Sequence, residues 1–228
     1  MDPDRRYERG LCLVPDKPHS EVSVPKIIHR GIFGGYTLSP LEERCVESWR
    51  AILPGYEIRT WTDENGPKDK PFFRDACVKR PVNASNYIRY WAVRQFGGIY
   101  LDNDVEVIRP FDLSPACFIG FQRDDLVDDC INSAVMGAEP DHPFVLSCLR
   151  RLDSDVGDTW PIWPGCGLPT EELTFRGLKG LNVEQVVEGV TVYDKSRFHP
   201  WRWDEQPDRS RITDRTFAVH HWSGNWSK

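Results

Sequence analysis

The stretch from 83 to 104, NASNYIRYWAVRQFGGIYLDND, constrains this chain more than any other. Ile88, Trp91, Ala92 and Phe96 recur at spacings of three and four, which places them along one face of a helix. Ser85 stands where it can cap that helix, and Gly97-Gly98 stop it, as glycine does at a helix C-terminus. Ile99–Asp102 then reads as a short strand, followed closely by a second over Val105–Ile108. Alternation along the first sends Ile99 and Leu101 to one face and Tyr100, Asp102 and Asp104 toward the other. Two carboxylates one residue apart at the end of a buried strand repel each other unless positive charge lies between them. Oxygen ligands without neighbouring cysteines suit magnesium or manganese better than zinc. A bare DxD is also what a solvated acidic turn looks like; the apolar run and the capped helix before it reduce the weight of that reading.

The rest of the chain supplies more strands and helices in alternation. A strand over Lys26–Arg30 precedes GIFGG, and Ser39-Pro40-Leu41-Glu42 spells a capping box with proline at the first helical position. Further strands are expected at Tyr56–Trp61, Cys117–Gln122, Asn132–Gly137, Val190–Asp194 and Thr216–His221, with a short helix near Phe73–Val78 and another over Pro143–Leu152. Interleaving of this kind argues for an α/β layered fold. Residues 1–24, broken by three prolines, read as an irregular lead-in to one domain over 25–228. With 228 residues, 39% of them hydrophobic, a single domain can bury a sizeable core. A net charge of −6 and a pI near 5.6 argue against a nucleic-acid binder. The chain opens without an apolar signal core, no stretch is apolar enough for a membrane span, and seven cysteines never form a CxxC pair. Reduced thiols and a cytoplasmic setting are therefore expected.

Ser85, Asn86 and Arg89 share the N-terminal face of their helix, where free N–H groups and a guanidinium would favour phosphate or sugar hydroxyls. The competing expectation is that Arg89 pairs with Asp75 or another surface acid. His220 and His221 are adjacent on a strand and face opposite ways, so one can be a ligand while the other is buried or solvated. Residues 195–215 mix five arginines with Phe198, Trp201 and Trp203. They suit a phosphate-bearing or membrane-proximal acceptor, or else a salt-bridged surface loop. Asp124, Asp125, Asp128 and Asp129 read as a solvated loop, and most of the nine tryptophans as core.

The segments PKIIHRGIFGG, SWRAILPGYEIRTWTDEN, NASNYIRYWAVRQFGGIYLDND and AVHHWSGNW together resemble the family 32 glycosyltransferases, the DXD-containing sugar transferases. They are more distantly similar to the glucosyltransferase domains of large clostridial toxins. The resemblance spans roughly residues 25–226. It implies a GT-A fold: one domain with a mixed, mostly parallel central sheet flanked by helices and a Rossmann-like nucleotide-binding half. It also implies a nucleotide-diphosphate sugar donor (UDP ahead of GDP), Mn2+ or Mg2+, and retention of anomeric configuration. Carried over by position, Asp104 would bind the metal, Asp102 would contact ribose, sugar and metal, and His220 would complete the metal site. Ser85, Asn86 and Arg89 would hold the donor sugar and phosphate, with Asn86 and Arg89 counted beside Asp102 and Asp104 as catalytic. Tyr100 would line the base and ribose pocket, and Ile28, His29, Phe33 and Gly34 belong to the loop that holds the base. Trp222, Ser223 and Trp226 would close over the diphosphate. Two departures stand out. Asn86 occupies a position where the family often has aspartate, and Ile32 one where it often has tryptophan, leaving Phe33 as the nearest aromatic. The resemblance points to a glycan or lipid-linked acceptor in surface polysaccharide synthesis, and the arginines and aromatics of 195–215 add the expectation of peripheral membrane association.

Three other chemistries share parts of this pattern. A haloacid dehalogenase-type phosphatase also uses an apolar strand ending in DxDxV, but normally early in the chain and with a downstream lysine. A tryptophan-rich carbohydrate-binding module would need neither the paired carboxylates nor Arg89. A nucleotidyltransferase would release pyrophosphate instead of a nucleoside diphosphate.

Overall fold

Helix α1 (Pro40–Ile52) starts at a capping box: the Glu42 N–H donates to Ser39 Oγ, and the Ser39 N–H donates to the Glu42 carboxylate. Ahead of it lies β1 (Ile27–Gly31) and after it β2 (Glu57–Trp61), joined as a parallel pair. The chain continues through α2 (Pro71–Lys79), α3 (Pro81–Phe96), β3 (Gly98–Leu101) and β4 (Val105–Val107). It then forms β5 (Cys117–Phe121), β6 (Ile131–Ala138), α4 (Pro143–Ser154), α5 (Gly167–Phe175), β7 (Gln185–Val187), β8 (Val190–Tyr193) and β9 (Ala218–His220). The computed structural model describes residues 24–124, 130–154, 165–180 and 182–224. The expected lead-in, all but its last residue, and the acidic run from Asp125 to Asp129 lie outside the described residues.

Seven strands form one sheet in the order β2-β1-β3-β6-β5-β8-β7, and β4 pairs with β9 in a separate ribbon. Within the sheet β1, β2, β3, β5 and β8 run one way, while β6 and β7 run against them. The sheet is thus mixed and mostly parallel, as expected. The carboxyl ends of β1, β3, β5 and β8 and the amino end of β6 meet at one edge, which is where open α/β sheets bind ligands.

Alternation divides the core as the sequence requires. Tyr100 packs with Tyr87, Ile88, Tyr90 and Phe144 on one side, and Ile99 and Leu101 pack with Ile28, Trp49, Val105 and Phe118 on the other. The Trp49 indole N–H donates to the Val105 carbonyl at 2.6 Å, pinning α1 to the strand after the DxD.

Two sequence expectations need correcting. Helix α3 begins at Pro81, four residues before Ser85, and Arg80 serves as both the C-cap of α2 and the N-cap of α3 without a side-chain cap bond. Proline fits a first turn, and stacking of Phe72 on Tyr87 at 5.4 Å holds the two helices together, so packing extends the helix back past the serine. The helix is also buried nearly all round, whereas Trp91 and Phe96 of the expected stripe are only half-buried beside Trp61. Helix α5 and strand β7 carry no strong period and were not expected. Among the described residues no helix is long and apolar enough to cross a membrane, and six cysteines are free thiols.

Candidate active site

Asp102 and Asp104 leave the end of β3 in the tight turn to β4, and the β4–β9 pairing brings His220 opposite Val105. Asp102, Asp104 and His220 each offer one ligand atom, and these atoms lie within 4.8 Å of one another. His220 Nε2 stands 3.3 Å from Asp104 Oδ1, and the Ser223 N–H donates to Asp104 Oδ2 at 2.7 Å. Burial alone would raise the Asp104 pKa, but His220 and the Ser223 N–H outweigh it and hold the carboxylate well below its ordinary range. Burial likewise opposes charge on His220, while Asp104 carries its pKa above the ordinary value. The side chain of Asp102 is 27% exposed and that of Asp104 10%, so Asp102 is the member open to a ligand. Two carboxylates and an imidazole at this spacing fit a divalent cation.

Arg89 forms the other wall. Its Nη2 donates to Asp102 Oδ1 at 3.1 Å, its Nη1 to Ser133 Oγ at 2.7 Å, and its guanidinium lies 4.9 Å over the Tyr100 ring. Burial would depress its pKa, but Asp102 outweighs that, so the guanidinium stays charged. The partner is Asp102 and not Asp75, which pairs with Lys79 on its own helix. Asn86 accompanies Arg89, one turn earlier, and donates to Asn83 Oδ1 at 3.3 Å. The backbone of Gly165 closes over both: a Cβ there would stand 3.1 Å from Asn86 Oδ1 and 3.2 Å from Arg89 Nη1. Ser133 Oγ donates to the Gly165 carbonyl, which holds this segment in place.

The structure brings together Asp102, Asp104, His220, Arg89, Asn86, Tyr100, Trp222 and Ser223 and places the other expected site residues differently. Ile28 and His29 expose no atom. His29 Nε2 meets the Gly97 carbonyl at 2.8 Å and its Nδ1 accepts from Trp61, and burial pulls its pKa down to about 4. Phe33 is buried edge-on against Phe73, so it packs the core and offers no face to a base. Tyr100 is buried beneath Arg89 and supports that guanidinium instead of lining an open pocket. Ser85 is half-buried, its hydroxyl close to Gly31, and the exposed Gly34 donates its N–H to Asp63. Trp222 covers His220 with ring centroids 4.0 Å apart, held by donation of its indole N–H to the Trp201 carbonyl. Trp226 lies outside the described residues.

His221 turns away, as adjacency on a strand requires, and its Nε2 lies 2.9 Å from Glu106 Oε2. Arg209 donates to both oxygens of the same carboxylate. The bond to His221 and then those to Arg209 pull the Glu106 pKa down to about 2. A carboxyl depressed on folding stabilises the protein above its unfolded pKa and loses that contribution as pH falls through the folded value. Glu106→Gln should therefore cost on the order of 1–2 kcal/mol at neutral pH, discounted for partial exposure, and the difference should vanish between pH ~4.5 and ~2. Urea unfolding across that window measures it; a pH-independent difference would remove the charge argument.

The five arginines of 195–215 are all committed to carboxylates. Arg197 and Arg215 pair with Glu184, Arg202 with Asp204, Arg209 with Glu106 and Arg211 with Glu205. Phe198 and Trp201 are core, and only Trp203 is exposed. The segment is the salt-bridged loop, not a phosphate-binding face. Reasoning on the sequence missed Ser133 and Gly165, which lie 44 and 76 residues from Arg89 and carry no local motif. It also missed His199, whose ring lies 5.5 Å from that of His220.

Residues 39–119 match the family described as the glycosyltransferase sugar-binding region containing DXD motif. Mannosyl phosphorylinositol ceramide synthase SUR1 of Saccharomyces cerevisiae is 33% identical over 149 residues, covering 61% of this chain and 37% of that protein. Inositol phosphoceramide mannosyltransferase 3 of Schizosaccharomyces pombe is 29% identical over 161 residues, covering 64% and 44%. The matches thus span less than half the length of these two relatives. Among solved structures, the PaToxG glycosyltransferase shares the fold at a TM-score of 0.52 and 16% identity, covering 67% of this chain and 70% of that one.

Proposed function

We propose that the chain is a DXD-containing glycosyltransferase, on the match over residues 39–119, and that it transfers a hexosyl group from a nucleoside-diphosphate sugar to a lipid-borne acceptor at a divalent-cation site. The observation that carries the reading is the meeting of Asp102, Asp104 and His220 beside the buried Arg89 at the carboxyl edge of the sheet. Departure of a nucleoside diphosphate puts negative charge on its leaving oxygen. Asp102, Asp104 and His220 would hold a manganese or magnesium ion, which supplies Lewis-acid stabilisation of that charge. Arg89, fixed by Ser133 and Tyr100, keeps Asp102 oriented and adds positive potential where charge develops. Asn86, in the same wall, would meet sugar hydroxyls.

Retention is carried over from the family resemblance, and the commitments of both carboxylates favour a front-face route over a covalent intermediate. Asp102 is committed to Arg89 and Asp104 to His220 and Ser223, so neither carboxylate is free to attack an anomeric carbon. The acceptor hydroxyl would then approach from the side of the departing diphosphate, whose oxygen takes its proton. A lipid acceptor is favoured by the names of the relatives, two ceramide-lipid mannosyltransferases and, at 24% identity over 93% of this chain, the human lactosylceramide 4-alpha-galactosyltransferase. Mannose is accordingly the first sugar to test.

Release of nucleoside diphosphate from UDP- and GDP-sugars, with and without Mn2+ and with inositol phosphoceramide as acceptor, tests the reading. The expected result is cation-dependent release from one donor that rises with acceptor, and a product whose anomeric configuration by NMR matches the donor. Absence of release from every donor, or an inverted product, would overturn the transfer or its stereochemistry respectively.

A further inference from the structure

We infer that His199 is a positioning residue for the cation site: it and His220 form a buried imidazole pair, bridged by one water, that sets which nitrogen of His220 carries the proton. The inference rests on the reading of Asp102, Asp104 and His220 as cation ligands.

His220 directs Nε2 at Asp104, which leaves Nδ1 buried and without a partner. His199 is fully buried, and neither of its ring nitrogens has a partner. The two rings lie 5.5 Å apart at 63°, tied by donation of the His220 N–H to the Phe198 carbonyl at 3.0 Å. Trp222 covers both, 4.0 Å from His220 and 5.4 Å from His199. The indole nitrogen of Trp201, whose carbonyl holds Trp222, is buried and unpartnered as well. Four of the nine such atoms among the described residues are therefore ring nitrogens of three neighbouring residues. Unpartnered buried polar atoms are rare, and several together mark a place where water completes the bonds. With ring centroids 5.5 Å apart and no direct bond between their nitrogens, the two rings suit one bridging molecule.

The chemistry explains why a histidine stands there. With the Nε2 lone pair on a cation, Nδ1 must carry hydrogen and needs an acceptor. With Nε2–H donating to Asp104, Nδ1 instead needs a donor. A neutral imidazole is donor and acceptor at once and can exchange the two nitrogens, whereas a carboxylate or an ammonium cannot.

The test is Mn2+ titration of the nucleotide-free protein by calorimetry. His199→Phe keeps a ring but no nitrogen and should bind Mn2+ about 10–100-fold more weakly, the usual loss when a metal ligand loses its supporting partner. His199→Gln, an amide that can donate and accept, should restore most of that affinity. Thermal unfolding of both variants separates a folding defect from a binding one. Equal affinity in His199→Phe and wild type would overturn the inference. An independent readout is the ring nitrogen spectrum of the wild type with diamagnetic Mg2+. A slowly exchanging Nδ1–H on His220 is expected, and free exchange with solvent would overturn the pairing even if His199→Phe misfolds. If wild type bound no cation at all, the cation reading itself would fall, and this inference with it.

Discussion

Asp104→Asn should lower cation-dependent transfer by about 10²–10³-fold or more, the range seen when one group stabilising developing charge is removed. The change removes a negative ligand and takes from His220 the carboxylate that raises its pKa. It also weakens the bond from Ser223 that keeps the C-terminal segment against the DxD turn. A second readout needs no substrate. Cation at a hundred times its dissociation constant should stabilise wild type by about 2.7 kcal/mol, and Asp104→Asn by almost nothing at the same concentration. Turnover and cation-induced stabilisation that both persist in the variant would remove Asp104 from the site. Loss of stabilisation with normal turnover would separate the cation from the chemistry.

The carboxylate pair was readable because local rules agree there. A strand of period two, a glycine stop and buried flanks all place Asp102 and Asp104 at one end of β3, and the structure keeps them there. The choice of His220 over His221 needed the β4–β9 register, a contact between segments over a hundred residues apart. Ser85 was misread as a cap because its chemistry suits one, whereas Pro81 and the packing of Phe72 on Tyr87 start the helix earlier. Phe33 shows a further limit. The resemblance put it in the loop that holds the base, yet Gly31 admits it so closely that a Cβ there would stand 2.5 Å from its ring, and it turns into the core. Helix α5 escaped notice because it lies against β6 and α4 without a marked apolar stripe. The five arginines misled in the opposite direction. Their density suggested an anion site, but their partners are acids, Glu106 and Glu184 from distant segments and Asp204 and Glu205 from the segment itself.

Arg89 is the position where one substitution should damage fold and chemistry together. Its guanidinium bonds Asp102 and Ser133 at once and lies over Tyr100, a geometry that needs a planar fork. Arg89→Met removes the charge and leaves Asp102 and the Ser133 hydroxyl without that partner. Breaking a buried ion pair from one side typically costs 3–5 kcal/mol, and with Asp102 27% exposed the expected loss sits at the lower end, about 3 kcal/mol. For a chain of this size that is a fall in Tm of roughly 6–12 °C. Arg89→Lys should recover part of the stability, because charge returns, but little of the turnover, because an ammonium cannot hold both oxygens in one plane. The double variant Arg89→Met with Asp102→Asn should be less destabilised than the two single losses added, by about 1–3 kcal/mol, since each single change already breaks the shared contact. Strict additivity would mean that the pair seen between Arg89 and Asp102 carries no coupling. In that case the stability lost in Arg89→Met would come from Ser133 and Tyr100, and its loss of turnover from the donor side alone.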